Sequence, residues 1–175
     1  SVVGDNPERL TECLLHALSR SDIVITTGGL GPTQDDLTKE VIAKALGLAM
    51  KLDEKSAESI KNYFAQTGKI MVESNLRQAY FPENSMILEN DEGTAPGCII
   101  QKDGKIIILL PGPPKELIPM FNKHLLKFFK DSSETPLTSR FLRVVGIGES
   151  LVEKKLLSLV DGQVNPTIAT YAKDG

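Results

Sequence analysis

The stretch Thr26-Thr27-Gly28-Gly29-Leu30-Gly31-Pro32-Thr33-Gln34-Asp35-Asp36-Leu37-Thr38 sets three glycines within four positions ahead of two adjacent carboxylates. Those residue types at that spacing suit one chemistry, the holding of a phosphoryl group. Glycines remove side chains that would keep backbone N–H groups away from an anion. Asp35 and Asp36 would repel such an anion unless a cation lies between them. Mg²⁺, held by one or two carboxylates plus phosphate oxygens, is the usual arrangement. A structural reading competes, a tight turn in which Asp35 or Asp36 caps the following helix. The stretch lacks the Gly-Lys-Ser/Thr ending of a P-loop and does not follow G-x-G-x-x-G.

The flanking residues say what must position this loop. Asp22-Ile23-Val24-Ile25 is a short apolar run with the character of a buried parallel strand. Val41, Ile42, Ala45 and Leu46 recur at helical spacing, and Gly47 is a helix stop. The loop therefore joins strand to helix at the carboxyl edge of a sheet, where open α/β sheets bind ligands. Ahead of it, Ser1-Val2-Val3 reads as the end of a strand already under way. Gly4-Asp5-Asn6-Pro7 turns it into a helix with Asp5 or Asn6 as N-cap and Leu10, Leu14, Ala17 and Leu18 inward. A right-handed β-α-β crossover brings Asp5 to the same edge as the glycine loop, where it is either a cap or a ligand.

Further along, Asp53 caps a helix running to about Gln66 and closed by Gly68. Val72 to Ala79 is a short helix ending near Pro82; its Asn75, Arg77 and Gln78 taken alone read as solvated surface. Met86-Ile87-Leu88, Cys98–Gln101 and Lys105–Leu110 are strands, and Asp103-Gly104 is a strong hairpin signal between the last two. Lys105–Leu110 is apolar nearly throughout and so central. It runs into Pro111-Gly112-Pro113-Pro114-Lys115-Glu116, a second strand–loop–helix edge. Prolines leave few N–H groups, so Gly112 and Pro113 shape a wall, while Lys115 is either a phosphate partner or a first-turn surface lysine. The loops at Gly28–Asp36 and Gly112–Lys115 are expected to line one pocket. Leu117, Met120, Phe121, Leu125 and Phe128 form the inner face of the next helix. Asp131 to Thr138 reads as a linker. Beyond it a strand at Phe141–Val145, a helix at Glu149–Val160 and a strand at Thr167–Tyr171 begin a second unit. The expected fold is a three-layer α/β domain over residues 1–135, mostly parallel with one antiparallel hairpin and with Ile23–Thr26 inside the sheet. Residues 138–175 are the start of a smaller α/β domain.

The chain has 175 residues, 41% hydrophobic and 25% charged, an ordinary balance for a globular protein. A net charge of −3 gives no reason to expect nucleic-acid binding. No apolar run is long enough to span a bilayer, and there is no signal peptide, so no membrane partner is expected. Cys13 and Cys98 are too few and too far apart for a disulfide framework or zinc site, and a reducing cytoplasm is the default. His16 and His124 both lie on helices and read as surface or boundary residues rather than ligands.

Together these residues resemble a family. Thr27 to Thr38 resembles the signature of the molybdenum-cofactor-biosynthesis fold, shared by molybdopterin adenylyltransferases and the CinA family. Asn75-Leu76-Arg77-Gln78-Ala79, Gly93-Thr94-Ala95-Pro96-Gly97 and Leu110 to Glu116 resemble the CinA branch in particular. Leu30 stands where the molybdopterin enzymes typically carry threonine. Val145 to Ser150 and Asn165 to Tyr171 resemble the KH-like domain that follows in that branch. The resemblance implies that the family's first strand and helix are missing here, as is the nicotinamide-nucleotide amidase domain of many full-length members. It implies a metal-dependent pyrophosphatase acting on ADP-ribose or a related dinucleotide, with Mg²⁺ or another divalent metal, in a cytoplasmic homodimer. By position, Asp36 would be catalytic and hold the metal, and Asp5 would be catalytic. Thr27, Gly28, Gly29, Leu30, Gly31, Asp35, Asn75, Gln78, Gly112, Pro113 and Lys115 would bind substrate. A molybdopterin- or nucleotide-handling transferase and a non-catalytic binding and assembly module are the alternatives on the same fold.

Overall fold

The computed structural model describes residues 1–132 and 137–171. Asn6, not Asp5, opens the first helix: its Oδ1 accepts the Arg9 N–H at 2.9 Å, and Pro7 occupies the first turn of α1 (Pro7–Arg20). Strand β1 (Ile23–Thr27) leads into the glycine loop, and α2 (Thr38–Ala45) leaves it. Strand β2 (Met50–Leu52) follows, then α3 (Glu54–Thr67), capped by Asp53 Oδ2 on the Ser56 N–H at 2.7 Å and ended by Gly68 at φ +66°. A 3-10 helix at Glu73–Ala79 runs straight into β3 (Tyr80–Pro82). Strands β4 (Met86–Leu88), β5 (Gly97–Lys102) and β6 (Lys105–Leu110) come next, with Asp103 and Gly104 both at positive φ in the turn between the last two. Helix α4 (Pro114–Met120) passes through a π turn at Phe121–Leu125 into α5 (Leu126–Ser132). Pro119 lies inside α4 just before that turn and has no N–H to give the helix ladder.

The main sheet has the order β1-β6-β5-β4. Apolar residues alternate across it and build two cores. Leu14, Leu30, Ile42, Cys98, Ile100, Ile107 and Leu109 pack between the sheet and α1/α2. Leu88, Ile99, Ile108, Leu110, Met120 and Leu125 pack between its other face and α4/α5. Each such side chain stabilises the fold by about 1.5–3 kcal/mol relative to exposure. The three expected layers are present. Sheet direction departs from expectation: β1–β6 is parallel, whereas β4–β5, β5–β6 and the separate β2–β3 pair are antiparallel. β1 lies at the edge of the described sheet, not inside it, and Ile23 and Ile25 are 40% and 44% exposed. It pairs with β6 alone, and Ser1–Val3 form no strand among the described residues.

The chain divides into two compact units, Ser1–Glu134 and Thr135–Gly175. Of the expected linker, Asp131 and Ser132 belong to α5, and residues 133–136 lie outside the described residues. In the second unit, α6 (Glu149–Asp161) forms as expected, with Val152, Leu156 and Val160 half-buried but Leu151 and Leu159 exposed. The strands expected at Phe141–Val145 and Thr167–Tyr171 are not formed. An extended segment becomes a strand only when a neighbour takes up its N–H and C=O groups, and neither segment has that neighbour among the described residues.

Candidate functional site

Two strand ends meet in the parallel β1–β6 pair. Thr27 stands opposite Leu110, and the Gly28 N–H donates to the Leu110 oxygen at 2.9 Å. The loops beyond them run side by side so closely that a Cβ on Gly112 would sit 3.4 Å from the Gly28 Cα. Without side chains at Gly28 and Gly112 the two main chains come within van der Waals reach of each other. The two loops line one cleft of about 300 Å³ together with Asp36, Gln78, Thr94, Ala95, Pro111 and Glu116.

The glycine loop is shaped from within. Gly28 and Gly29 adopt φ +92° and +68°, and a side chain on Gly29 would collide with the Thr38 hydroxyl. Thr38 closes the loop by donating its hydroxyl to the Gly28 oxygen at 2.9 Å and its N–H to the Gly29 oxygen at 3.1 Å. At the tip, Asp36 Oδ2 accepts the Thr33 N–H at 3.0 Å and the Thr33 hydroxyl at 2.6 Å. That hydroxyl also reaches Asp35 Oδ1, so its single proton is shared between two carboxylates. The contact to Thr33 is the main reason that the Asp35 carboxyl lies below its ordinary pKa. Asp36 thus pins the loop and does not cap α2, whose N-cap position is Leu37 without a side-chain bond. Asp36 Oδ1 and the N–H groups of Gly29, Leu30 and Gly31 make no hydrogen bond among the described residues.

The wall carrying Gln78 is joined to the loop by two cations that cross. Lys39 on α2 donates to the main-chain oxygens of Gln78 at 2.8 Å and Arg77 at 3.3 Å, with its ammonium 4.5 Å from the centre of the Phe81 ring. Arg77 donates back to the main-chain oxygen of Thr33 at 2.8 Å and to Glu40 at 3.1 Å. Lys39 is 2% exposed, and burial lowers its pKa to about 8.

Of the residues expected at the site, Gly28, Gly29, Leu30, Gly31, Asp36, Gln78, Gly112 and Pro113 line the cleft. Asp5 is on the exposed Gly4–Asn6 turn, outside the lining. Thr27 ends β1, Asp35 is exposed at the loop tip, and Lys115 is exposed in the first turn of α4. Asn75 uses its Oδ1 on the Val72 N–H at 2.9 Å, within its own helix. Sequence reasoning missed Glu116, Thr94, Ala95 and Pro111 in the lining, and Lys39 behind it. Glu116 follows Lys115 by one residue, so helix rotation decides which of the two faces inward. Lys39 lies one turn before buried Ile42, a spacing that marks it as inward-facing.

Comparison with known proteins agrees over both units. Residues 1–131 match the family described as "Probable molybdopterin binding domain", and residues 139–175 match "Damage-inducible protein CinA KH domain". A "CinA-like protein" of Dictyoglomus turgidum is 53% identical over 175 residues, all of this chain and 43% of that protein. Another, from Kosmotoga olearia, is 49% identical over 175 residues and is covered to 42%. The chain thus spans about two fifths of these curated relatives. The crystal structure of a CinA protein from Thermoplasma acidophilum, described as of unknown function, matches with a TM-score of 0.63 at 35% identity, over 70% of this chain and 72% of that one.

Proposed function

This chain belongs to the molybdopterin-binding-domain family, in a CinA-type protein with a KH domain following, and from that premise we propose that it is a metal-dependent nucleotide pyrophosphatase. Its substrate in this reading is ADP-ribose or a related dinucleotide. One observation carries the reading: unbonded N–H groups at Gly29–Gly31 share a cleft with Asp36, whose Oδ1 has no hydrogen bond. Donors of that kind suit the non-bridging oxygens of a diphosphate, and a carboxylate beside them suits a divalent cation.

The donor set fits a metal that the substrate completes. Among the described residues no three His, Cys, Asp or Glu side chains gather as a metal cage. Mg²⁺ usually takes one or two carboxylates and fills its remaining positions with phosphate oxygens and water. Asp36 Oδ1 would hold it. When bound, the ion would supply neutralisation of the diphosphate charge and a more acidic water. The loop N–H groups hold the oxygens of the phosphorus under attack. Glu116, anchored through Oε2 by the Asn90 amide at 2.8 Å, is the residue that we assign to accept the water proton. Water oxygen bonds to one phosphorus, the bridging oxygen leaves on the other, and the products are AMP and ribose phosphate.

The reading also takes the protein as a cytoplasmic homodimer, with support from the family resemblance. Among the described residues no helix is long and apolar enough to cross a membrane. Mass spectrometry of products from ADP-ribose and Mg²⁺ tests the whole. AMP with ribose phosphate supports hydrolysis. An adenylylated pterin formed from ATP would make the protein a transferase, and binding without turnover would make it a binding module. Light scattering on the purified protein tests the dimer.

A further inference from the structure

We propose that Gln78 reads the nucleoside half of the bound nucleotide, its carboxamide oxygen accepting a hydrogen bond from an N–H or O–H donor on the base or sugar. The proposal rests on the nucleotide reading above and names the part of the substrate that the cleft selects. Gln78 lines the cleft, is 2% exposed, and its Oε1 is buried without a hydrogen-bond partner. Among the described residues one other buried side-chain oxygen, Glu40 Oε2, lacks a partner. Glu40, however, is held by Arg77 through Oε1 at 3.1 Å and is outside the cleft lining. Thr38 is satisfied by the Gly28 oxygen, Lys39 by the Gln78 oxygen and Asn75 by the Val72 N–H. A buried polar atom left unpaired destabilises the free protein, so it persists where something else compensates. A ligand donor in the cleft is that compensation.

The backbone offers Gln78 no other use. Lys39 holds its main-chain oxygen at 2.8 Å, and the next residue, Ala79, is 0% exposed and accepts the Asp53 N–H at 2.9 Å. The main chain at Gln78 is therefore fixed in the wall, and its side chain is 2% exposed there. At about 300 Å³ the cleft is at the small end of ligand sites, a size that encloses one nucleoside monophosphate unit of the substrate. With the phosphate on the glycine loop, the group reaching Gln78 belongs to the attached nucleoside.

The test uses isothermal titration of this chain, with Mg²⁺, against AMP, 2′-deoxy-AMP, 3′-deoxy-AMP and purine riboside 5′-monophosphate, which lacks the 6-amine. The parent protein should bind one of the three analogues roughly 10- to 100-fold more weakly than AMP, and that analogue identifies the donor as sugar hydroxyl or base amine. Gln78→Leu should lose the same factor for AMP and no longer distinguish that analogue. It should also raise the melting temperature of the ligand-free protein by roughly 2–4 °C, because the unpaired amide is gone; a merely structural glutamine would move it the other way. AMP binding that is indifferent to Gln78→Leu, or equal binding of all four nucleotides by the parent, overturns the proposal alone. Failure of the parent to bind any of the four overturns the nucleotide reading and this proposal with it.

Discussion

The Lys39 ammonium donates to the main-chain oxygen of Gln78 at 2.8 Å, tying the helix that leaves the glycine loop to the wall opposite it. Arg77, the neighbour of Gln78, returns the contact by donating to the main-chain oxygen of Thr33 at 2.8 Å. Each segment thus supplies the cation that holds the other's backbone.

Removing the Arg77 guanidinium should loosen the loop without unfolding the domain. Its hydrogen bonds are partly exposed, so Arg77→Met should cost about 1–2 kcal/mol of unfolding free energy. Hydrogen exchange should speed up at residues 33–36 and stay slow in β5 and β6. Unchanged exchange at residues 33–36 would show that the loop stands without the clamp.

Lys39 gives stability a pH signature. Its pKa in the folded protein is about 8, against an ordinary 10.5. Between those values the unfolded chain binds more protons than the folded one, so this residue makes stability rise with pH through that window. Below pH 8 both states are charged and the burial cost is present in full. Relative to Lys39→Met, the parent's unfolding free energy should climb by about 1.4 kcal/mol per pH unit at most within the window. Chemical denaturation at pH 7, 8, 9 and 10 measures it, and parallel curves for the two proteins would contradict the assignment.

Asp36→Asn separates the metal role from the loop-pinning role. Asparagine retains an oxygen for the Thr33 N–H, so the melting temperature should change little. If Asp36 holds the catalytic cation, turnover of ADP-ribose should fall by roughly two orders of magnitude, about 2.7 kcal/mol of barrier. Near-parental turnover at saturating Mg²⁺ would leave Asp36 with the loop alone.

Gly31→Ala approaches the same carboxylate from the other side. A Cβ there would lie 2.9 Å from the Asp36 Cγ and collide with Oδ2. The variant should therefore displace Asp36 and lower turnover at least 10-fold. Combined with Asp36→Asn it should add little further loss, because both changes remove one function. Additive losses would show that Gly31 acts independently.

Cys98 should be chemically silent. It is 0% exposed, and burial pushes its thiol pKa up to about 12, leaving almost no thiolate at neutral pH. Cys13 on α1 is half-buried. Iodoacetamide followed by peptide mass spectrometry should label Cys13 first, and Cys98 only after denaturation.

Much of this was legible because it is local. Asp103-Gly104 specifies its hairpin, Asp53 and Gly68 bracket α3, and the apolar runs on either side of the glycine loop identify β1 and α2. What escaped depends on distant neighbours. Met50–Leu52 and Tyr80–Pro82 are three residues each, too short to show alternation, and become strands only by pairing with each other. The edge position of β1 is a property of what lies beside it, not of Ile23–Thr27. At the site, glycine and aspartate types announce themselves within a dozen residues. The unpaired amide of Gln78 does not, because its environment is made by α2 and by the loop after β6.

The parallel pairing of β1 with β6 has a kinetic consequence. Thr26 bonds to the oxygen of Ile108 across 82 residues, so the two loops of the cleft come together only when a very long stretch of chain closes. Contacts of such separation form late and slowly, since the entropy of closure is lost before they are gained. During synthesis the glycine loop emerges well before the strand that completes its pocket, and a nascent chain ending short of Leu110 has no cleft to fill. A ligand added to a refolding mixture should therefore leave the folding rate nearly unchanged and slow unfolding instead, because it recognises only the finished domain.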